Sequence, residues 1–368
     1  MTLPDTRFDI AIAGGGIAGA SLAAALAPHA RIVVLEAESV AGFHATGRSA
    51  AFWSETYGGP AIQPLTTASG PALRDGGFLS PLGSLHIGRS GDVAAAEALL
   101  AAFDGSAVAL SAVDPAGHVP GLRPGWTIGV MEPSCAYIDV AALHGWCLAE
   151  ARRGGATIVT DAAIRGAERQ YGGWTIDTPA GTVAADIIVN AAGAWADQVA
   201  VAAGARPLGL KPYRRTMVQL RTDPGAPADL PLVADLGGRF YFKPEPGGRL
   251  WLSPHDEVPT TPCDAAPEEL DIAVAVDRFE GAVDWQVRAV ERSWAGLRTF
   301  APDRLPVYGF AERGFFWCAG QGGFGIQTAP AAAEMAAAML LGRPPAVGGV
   351  DPDRYSPGRF DDRVGPLI

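Results

Sequence analysis

The feature that most constrains this chain is a group of glycines between two apolar segments near its beginning. Residues 8–13 are an apolar run that predicts a strand, residues 14–19 form a glycine turn, and residues 20–27 are rich in Ala and Leu and predict a helix. The β-branched run at residues 31–36 predicts a second buried strand. Such a βαβ unit closes with a right-handed crossover, so we expect a parallel sheet.

The glycines of this unit have the spacing of a dinucleotide site. Gly14, Gly16 and Gly19 match Gly-x-Gly-x-x-Gly, whose members provide a tight turn, close approach of the backbone to pyrophosphate, and close helix–strand packing. The helix N-terminus adds free N–H groups and a positive dipole end. Glu36 ends the second strand, where a carboxylate accepts hydrogen bonds from ribose hydroxyls. This motif predicts a dinucleotide but does not distinguish NAD from FAD.

The remaining chain predicts a second kind of structure inside the first. Residues 46–51 predict the start of a helix, and residues 329–341 predict a helix near the end. Between residues 205 and 295, aromatic runs are separated by Pro and Gly, a pattern that favours antiparallel strands. We therefore expect an α/β fold, with a Rossmann-type nucleotide-binding domain interleaved with an antiparallel-sheet α+β substrate domain.

The boundaries of these two domains follow from the change of pattern along the chain. The nucleotide-binding domain is expected to be discontinuous, because a further strand and a glycine turn are predicted from residue 314 on, after the aromatic region ends. Its predicted segments are residues 1–80, 135–205 and 296–368. The predicted substrate-binding domain consists of residues 81–134 and 206–295.

Composition excludes several classes of partner. The net charge is −11 and no Lys/Arg run interrupts it, so binding to nucleic acid has no electrostatic driving force. The four cysteines form no Cys-x-x-Cys pair, so we expect neither a metal site nor a disulfide framework. The first twelve residues do not resemble a secretory signal, and no apolar segment is long enough to cross a bilayer. These patterns predict a cytoplasmic protein, with peripheral membrane contact left open.

Three further segments resemble one family of flavoproteins. They are Gly-Phe-His-Ala-Thr-Gly-Arg-Ser-Ala-Ala at residues 42–51, Asn-Ala-Ala-Gly-Ala-Trp at 190–195, and Gly-Gly-Phe-Gly-Ile-Gln at 322–327. In order and spacing they resemble the D-amino-acid oxidase, glycine oxidase and sarcosine oxidase superfamily, and within it the bacterial D-arginine dehydrogenases. Residues 206–210 and 294–298 extend the likeness to most of the chain.

The resemblance implies FAD as the cofactor and names the residues that would bind it. The sarcosine oxidase branch attaches its flavin to a cysteine in the segment that corresponds to residues 297–300, where this chain has none, so we expect noncovalent FAD. Ala163 would meet the adenine through its backbone, and residues 322–327 would lie beside the isoalloxazine. The implied FAD-binding residues are Gly14, Gly16, Ala18, Gly19, Glu36, Ala37, Ala45, Thr46, Gly47, Arg48, Ser49, Ala50, Ala51, Phe52, Ala163, Gly193, Gly322, Gly323, Phe324, Gly325, Ile326 and Gln327.

The same resemblance implies a site for an amino acid. A guanidinium holds a carboxylate through two parallel N–H bonds. Two arginines match the carboxylate clamp of the family, and two tyrosines match its carboxylate-binding and lid residues. The implied site residues are Arg215, Arg298, Tyr241, Tyr57, Ser84 and Gly323.

Two departures from the family pattern bear on specificity. Phe52 stands where relatives have a histidine near the substrate amine, and Ser84 stands where the arginine-specific enzymes have a glutamate. Loss of that glutamate removes the partner of a cationic side chain, so we expect a preference for neutral or apolar side chains. His44 and His86 lie close to these positions in sequence, and we interpret both as structural.

These observations predict oxidation of a D-amino acid to its imino acid, with a hydride passing from Cα to flavin N5. The partners would be a small amino acid and an electron acceptor, either oxygen or a quinone-like carrier. One alternative keeps the fold and oxidises an N-methyl amino acid or a 2-hydroxy acid. Another alternative is a flavoprotein subunit that has no catalytic turnover of its own. The presence of both clamp arginines does not favour it, because such a subunit has no need of a carboxylate clamp.

Overall fold

The computed structural model describes residues 7–170, 172–312 and 314–363. Residues 1–6 and 364–368, which the predicted nucleotide-binding domain includes, lie outside the described residues. Two large sheets and one small sheet form the framework, and the chain passes between them several times.

The strands of the described residues are numbered in chain order. They are β1 (Arg7–Ala13), β2 (Ile32–Leu35), β3 (Phe52–Trp53), β4 (Leu79–Pro81), β5 (Ser84–Arg89), β6 (Ser111–Val113), β7 (Trp126–Glu132), β8 (Ala136–Ile138), β9 (Thr157–Val159), β10 (Gly166–Gln170), β11 (Gly173–Thr178), β12 (Gly181–Asn190), β13 (Lys211–Asp223), β14 (Leu232–Asp235), β15 (Tyr241–Glu245), β16 (Arg249–Ser253), β17 (Val258–Pro259), β18 (Gln286–Phe300), β19 (Val307–Glu312), β20 (Phe315–Ala319) and β21 (Gln321–Gly322).

The α-helices are fewer and mostly pack on the first sheet. They are α1 (Ile17–Leu26), α2 (Gln63–Asp75), α3 (Val93–Ala102), α4 (Val140–Arg153), α5 (Ala196–Ala202), α6 (Glu269–Glu280) and α7 (Gly325–Leu340). Helix α7 begins four residues before the helix predicted at residues 329–341, because its first turn continues directly from the glycine segment after β21.

The first sheet contains the predicted βαβ unit. Strand β1 pairs in parallel with β2 on one side and with β12 on the other, and β9 extends the parallel order beyond β2. Strand β12 also pairs with β20 in parallel, whereas β10 and β11 form an antiparallel edge. One face is covered by α1 and α7, whose small side chains allow close packing on buried residues such as Ile12 and Val34. Burial on both faces explains the nearly continuous apolar runs of β1 and β2.

The second sheet is mainly antiparallel and supplies the other wall of the site. Strands β13 and β18 pair along almost their whole length, and β16, β15, β14, β5, β7 and β6 continue the sheet. Its opposite face packs against α6 through an apolar core that includes Phe242 and Phe279. The two-sheet, interleaved architecture predicted from the sequence is confirmed. Strand β18 runs without a break through residue 296, and the domain boundary placed there stays a prediction.

The helix predicted at residues 46–51 is wrong. This segment is a series of turns followed by extended backbone leading into β3. The N–H of Gly47 bonds the carbonyl of Gly42 at 2.8 Å, and the Trp294 indole N–H bonds the carbonyl of Arg48 at 2.9 Å. A bond between residues five apart, closing a six-residue turn, departs from the four-residue spacing of an α-helical ladder, and the Arg48 carbonyl accepts from a distant side chain instead, so tertiary bonds contribute to this conformation.

Candidate active site

An elongated cavity of about 470 Å³ runs from the βαβ unit to the antiparallel sheet. At one end it is lined by the glycine turn and Glu36, and at the other by side chains of β13, β15 and β18. Nineteen of the predicted FAD-binding residues line it: Gly14, Gly16, Ala18, Glu36, Ala37, Ala45, Thr46, Arg48, Ser49, Ala50, Ala51, Phe52, Ala163, Gly193, Gly322, Gly323, Gly325, Ile326 and Gln327.

The three motif glycines have separate steric roles. Gly14 has a φ of +101°, and a Cβ there would lie 2.6 Å from the carbonyl oxygen of Ala191. A Cβ on Gly19 would lie 2.0 Å from the carbonyl oxygen of Gly14, so only glycine lets α1 approach β1 this closely. Gly19 therefore acts through packing and does not itself line the cavity. At Gly16 a Cβ would meet only the Thr46 hydroxyl, at 3.2 Å, and the backbone there faces the cavity.

Glu36 is held in place by backbone donors. One carboxylate oxygen accepts the N–H of Gly15 at 2.7 Å, and the other accepts the N–H of Glu38 at 2.9 Å. The residue is 8% exposed and lines the cavity. Because each carboxylate oxygen can accept more than one hydrogen bond, the side chain retains capacity for the two hydroxyls of a ribose.

The turn segment after β2 closes over the start of α1. The Thr46 hydroxyl accepts the N–H of Ile17 at 2.9 Å, so it caps one of the free donors at the helix N-terminus. The side chain of Arg48 turns away toward the second sheet, where it donates to the carbonyl of Ala265 at 2.9 Å and stacks on Phe43. Gly47 does not line the cavity, since it lies against the carbonyl of Gly42.

At the opposite end, the pairing of β13 with β18 places two arginines on one face of the sheet. Arg215 lies opposite Gly296, and Arg298 lies opposite Tyr213, so the arginines are diagonal neighbours across two adjacent strands. Arg298 donates to the Tyr57 hydroxyl and to Glu257, both at 2.9 Å. Arg215 donates from Nε to the carbonyl of Asp256 at 2.7 Å.

Both guanidinium groups retain a buried donor without a hydrogen bond. Nη2 of Arg215 and Nε of Arg298 are shielded from solvent and make no hydrogen bond to any described residue, although the Glu257 carboxylate lies 3.5 Å from the first. Burial, together with the positive charge of Arg298, lowers the pKa of Arg215 from its usual value. Buried donors are normally satisfied, and two unsatisfied donors on adjacent cations are the arrangement expected of an anion site.

Tyrosine and glycine residues complete this end. The Tyr57 ring lies between Phe52 and Phe324, with ring centroids 5.1 Å from each. The Tyr241 hydroxyl meets the sulfur of Met217 at 3.2 Å, and burial raises the pKa of Tyr241 although both arginines oppose this. Phe324 contacts Tyr57 but does not line the cavity.

Gly323 packs directly against the clamp. A Cβ at this position would lie 2.3 Å from the Tyr57 hydroxyl and 2.5 Å from a terminal nitrogen of Arg298. The absence of a side chain at Gly323 is therefore a condition for the observed position of the guanidinium.

Ser84 is not brought to the cavity. It is 2% exposed, begins β5, and pairs in register with Glu132 of β7. Glu132 accepts the Ser54 and Thr56 hydroxyls at 2.8 and 2.6 Å, so this region is a buried polar network between the sheets. Because Ser84 does not line the cavity, its side chain is not in position to contact a ligand there. The earlier expectation that it sets specificity is not supported by this geometry.

The structure adds residues to the site that the sequence did not assign to it. Trp195, the last residue of the motif at 190–195, and His44, which was interpreted as structural, line the nucleotide end with ring centroids 4.4 Å apart, and His44 pairs with Glu38 at 2.7 Å. Met217 lines the substrate end, two residues after Arg215 on the same face of β13. That spacing in a strand was the available signal for Met217, and the motif at residues 190–195 was the available signal for Trp195.

These features fit a dinucleotide with a reactive ring beside the arginines. The glycine turn and the α1 N-terminus suit a pyrophosphate, Glu36 suits a ribose, and residues 321–327 provide a wall next to the clamp. In the described part of the chain, no cluster of His, Cys, Asp and Glu is arranged to hold a metal ion. None of its helices is both long and apolar enough to cross a membrane.

Comparisons with known proteins identify similar dehydrogenases and oxidases. Mouse (Mus musculus) mitochondrial dimethylglycine dehydrogenase is 30% identical over 254 residues, which cover 62% of this chain and 29% of that protein. The chain therefore spans less than a third of that relative's length.

Two solved structures share the fold. L-proline dehydrogenase from P. horikoshii has a TM-score of 0.86 at 21% identity, covering 98% of this chain and 99% of the other. Glycine oxidase from Geobacillus kaustophilus has a TM-score of 0.82 at 23% identity, covering 95% and 98%. The family of FAD dependent oxidoreductases named DAO matches residues 9–339. With that match over most of its length, this chain belongs to the DAO family of FAD-dependent oxidoreductases.

Proposed function

We propose that this chain oxidises the Cα–N bond of a small amino acid with a neutral side chain, using noncovalently bound FAD. The observation that carries the proposal is the pair of buried donors that make no hydrogen bond to the described residues, Nη2 of Arg215 and Nε of Arg298. Nη2 of Arg215 has only the longer ion-pair contact with Glu257, at 3.5 Å. A carboxylate is planar and has two oxygens, so it can accept from both guanidinium groups at once. The orphaned donors thereby acquire the partners that burial requires.

The clamp residues orient the substrate. Arg298 is fixed by Tyr57 on one side and by Glu257 on the other, and Gly323 leaves the guanidinium free to approach the cavity. Bound FAD supplies the acceptor for the hydride that leaves Cα. Two fixed cations favour the neutral form of a nearby amine, because they repel an ammonium group.

The walls of this end argue against a cationic side chain. Among the described residues, neither a carboxylate nor an imidazole lines the cavity near the arginines. The wall there includes Phe52, Tyr57, Met217 and Tyr241. A substrate lysine or arginine side chain would be buried without a counter-charge, which is costly, whereas a small apolar group gains from burial.

Two substrate classes share these requirements. D-amino acids with aliphatic or aromatic side chains are supported by the resemblance of the sequence motifs to D-amino-acid oxidising enzymes. N-methyl and other secondary amino acids are supported by the names of the relatives, which include dimethylglycine and L-proline dehydrogenases. The resemblance to D-arginine dehydrogenases stays a prediction, and arginine as a substrate is not favoured, because no carboxylate of the described residues lines the cavity beside the clamp.

The first experiment is anaerobic reduction of the holoprotein by a panel of candidate substrates. The panel contains glycine, D- and L-alanine, D-leucine, D-arginine, N-methylglycine, L-proline and lactate. Bleaching of the visible flavin band identifies a substrate. Reduction by lactate alone, or by none of the panel, would contradict amine oxidation.

The second experiment tests the clamp. Arg298→Met should raise the KM of any accepted amino acid by at least tenfold, because an unpaired buried carboxylate costs on the order of 2–5 kcal/mol. Arg298→Lys retains a charge but not the paired donors, so its KM should lie between that of Arg298→Met and that of the wild type. Arg153→Met, in an exposed pair with Glu150 on α4, is the matched control and should change neither KM nor kcat. A normal KM in Arg298→Met would exclude this orientation of the substrate.

A further inference from the structure

The outer side of the arginine clamp carries a second layer of charge. Glu257 lies 2.9 Å from Nη1 of Arg298 and 3.5 Å from Nη2 of Arg215, and it pairs with Arg304 at 2.8 Å. Asp256 lies 3.8 Å from Nε of Arg215 and accepts the N–H of Thr216 at 2.8 Å. Two carboxylates and a third arginine thus surround the two arginines that face the cavity.

This layer is separated from the cavity itself. Neither Glu257 nor Arg304 lines the cavity, so neither is positioned to contact a ligand there. The side chains of Arg215 and Arg298 are 7% and 12% exposed, whereas those of Glu257 and Arg304 are 33% and 48% exposed. Any influence of Glu257 on a ligand must therefore pass through Arg298 and Arg215 or act by its charge alone.

The charges of the group nearly cancel. Arg215, Arg298 and Arg304 contribute three positive charges, and Asp256 and Glu257 contribute two negative charges, so the sum is one positive charge. One ligand carboxylate balances this sum. The pKa of Glu257 is lowered, because the charges of the neighbouring arginines outweigh the effect of its burial, and the side chain is ionised in the working enzyme.

We propose that Glu257 is a positioning residue that balances the charge of the clamp, so that the site selects ligands with one carboxylate over ligands with two. The proposal rests on the proposed function, because it requires a carboxylate at Arg215 and Arg298. Glu257 accepts from Nη1 of Arg298 and the Tyr57 hydroxyl accepts from Nη2, so Nε is the nitrogen of Arg298 that makes no hydrogen bond to the described residues. The Glu257 carboxylate also neutralises one positive charge of the clamp, and without it that charge would attract a second ligand carboxylate.

Arg304 allows the proposal to be tested by the direction in which the preference for a dicarboxylate changes. Its guanidinium stacks on the Phe300 ring, 3.9 Å from the centroid, and donates to both oxygens of Glu257. Neutralising Glu257 adds one positive charge to the group, whereas neutralising Arg304 removes one. A charge effect must therefore move dicarboxylate preference in opposite directions in the two variants, and general damage to the site would weaken both ligands alike.

The experiment titrates the holoenzyme with acetate, malonate and neutral acetamide at mildly alkaline pH, using perturbation of the visible flavin band as the binding signal. In Glu257→Gln the ratio of malonate to acetate affinity should rise about tenfold, since one unit charge several ångströms away acts on the additional ligand charge. In Arg304→Gln the same ratio should fall. Acetamide should bind weakly in every form, because it carries no charge.

The controls distinguish the charge-balancing role of Glu257 from the carboxylate clamp on which it rests. Glu257→Asp retains the charge and should keep the wild-type ratio, and Glu291→Gln, which pairs with Arg221 and Arg249 away from the cavity, should also leave it unchanged. An unchanged ratio in Glu257→Gln, or equal weakening of both anions, overturns charge balancing even if acetate binding is lost in Arg298→Met. If neither acetate nor malonate binds to the wild type, both the carboxylate clamp and the charge-balancing role of Glu257 are contradicted.

Discussion

At the scale of single residues, the site depends on side chains that are absent as much as on those that are present. Gly14 and Gly19 permit backbone approaches that a Cβ would block, and Gly323 does the same for the guanidinium of Arg298. The first two shape the cofactor end of the cavity and the third shapes the substrate end. Small changes at these positions therefore test the geometry more directly than removal of a charged group.

Gly323→Ala should lower kcat/KM for any accepted amino acid by at least tenfold. The new Cβ would occupy the space of the Tyr57 hydroxyl and of the Arg298 guanidinium, so the clamp must move, and small displacements in a site reduce rates strongly. FAD occupancy should remain near that of the wild type, and steady-state kinetics with absorbance measurements check both. In Gly166→Ala, where a Cβ would meet no atom within 4 Å, the kinetics should not change. Normal kinetics in Gly323→Ala would mean that Arg298 does not hold the substrate in this position.

At the scale of elements, the connection between β16 and β17 supplies the charged layer behind the clamp. His255 adopts a φ of +56° there, and its ring Nδ1 bonds the carbonyl of Gly238. The ring also approaches Tyr241 edge-on, with centroids 5.9 Å apart. This fixed histidine positions Asp256 and Glu257, the next two residues, behind the arginines.

The titration of His255 should appear in the stability of the protein. Burial and the nearby charge of Arg215 lower the pKa of His255 from 6.5 to about 4. Between these two values the unfolded chain binds a proton that the folded chain does not, so the free energy of unfolding falls as the pH falls from 6.5 to about 4. His255→Asn, a residue that tolerates positive φ, removes this dependence.

Urea unfolding of wild type and His255→Asn across this pH range measures the effect. As the pH decreases, the free energy of unfolding of the wild type should fall relative to that of His255→Asn. His118→Asn, at an exposed position, should instead follow the wild type in parallel. A constant difference between wild type and His255→Asn would show that the histidine titrates alike in the folded and unfolded chains.

At the scale of the whole molecule, the cavity lies between two sheets that do not pair with each other. The parallel sheet supplies the nucleotide end, and the face shared by β13, β15 and β18 supplies the substrate end. A ligand that spans the cavity contacts both sheets, so it should stabilise their relative arrangement by binding only the folded chain.

FAD should therefore raise the Tm of the protein and leave with the soluble fraction on acid or heat denaturation. Among the described residues, no cysteine lines the cavity, and Cys135, Cys147 and Cys318 are buried elsewhere. Absorbance of the supernatant and of the pellet after precipitation measures the distribution of flavin, and thermal unfolding with and without added FAD measures the shift in Tm. Flavin that remains in the washed pellet would indicate a covalent bond.

The amino-acid sequence by itself determined the features that depend on short segments. The βαβ unit, its glycines and Glu36 could be predicted because a turn, a helix cap and a strand end are specified within about thirty residues. The division into a parallel and an antiparallel sheet also followed from local patterns. These are the parts of the molecule in which neighbours in sequence are neighbours in space.

The tertiary structure decided the rest. Only the register of β13 with β18 brings Arg215 beside Arg298, and only the position of β5 within its sheet takes Ser84 away from the cavity. The predicted helix at residues 46–51 is replaced by turns because their backbone groups bond distant partners. Glu257 became significant only through its contact with both arginines. The pairing of distant strands and the ion pairs between their side chains bring together residues that are far apart in the chain. No local sequence pattern encodes such contacts.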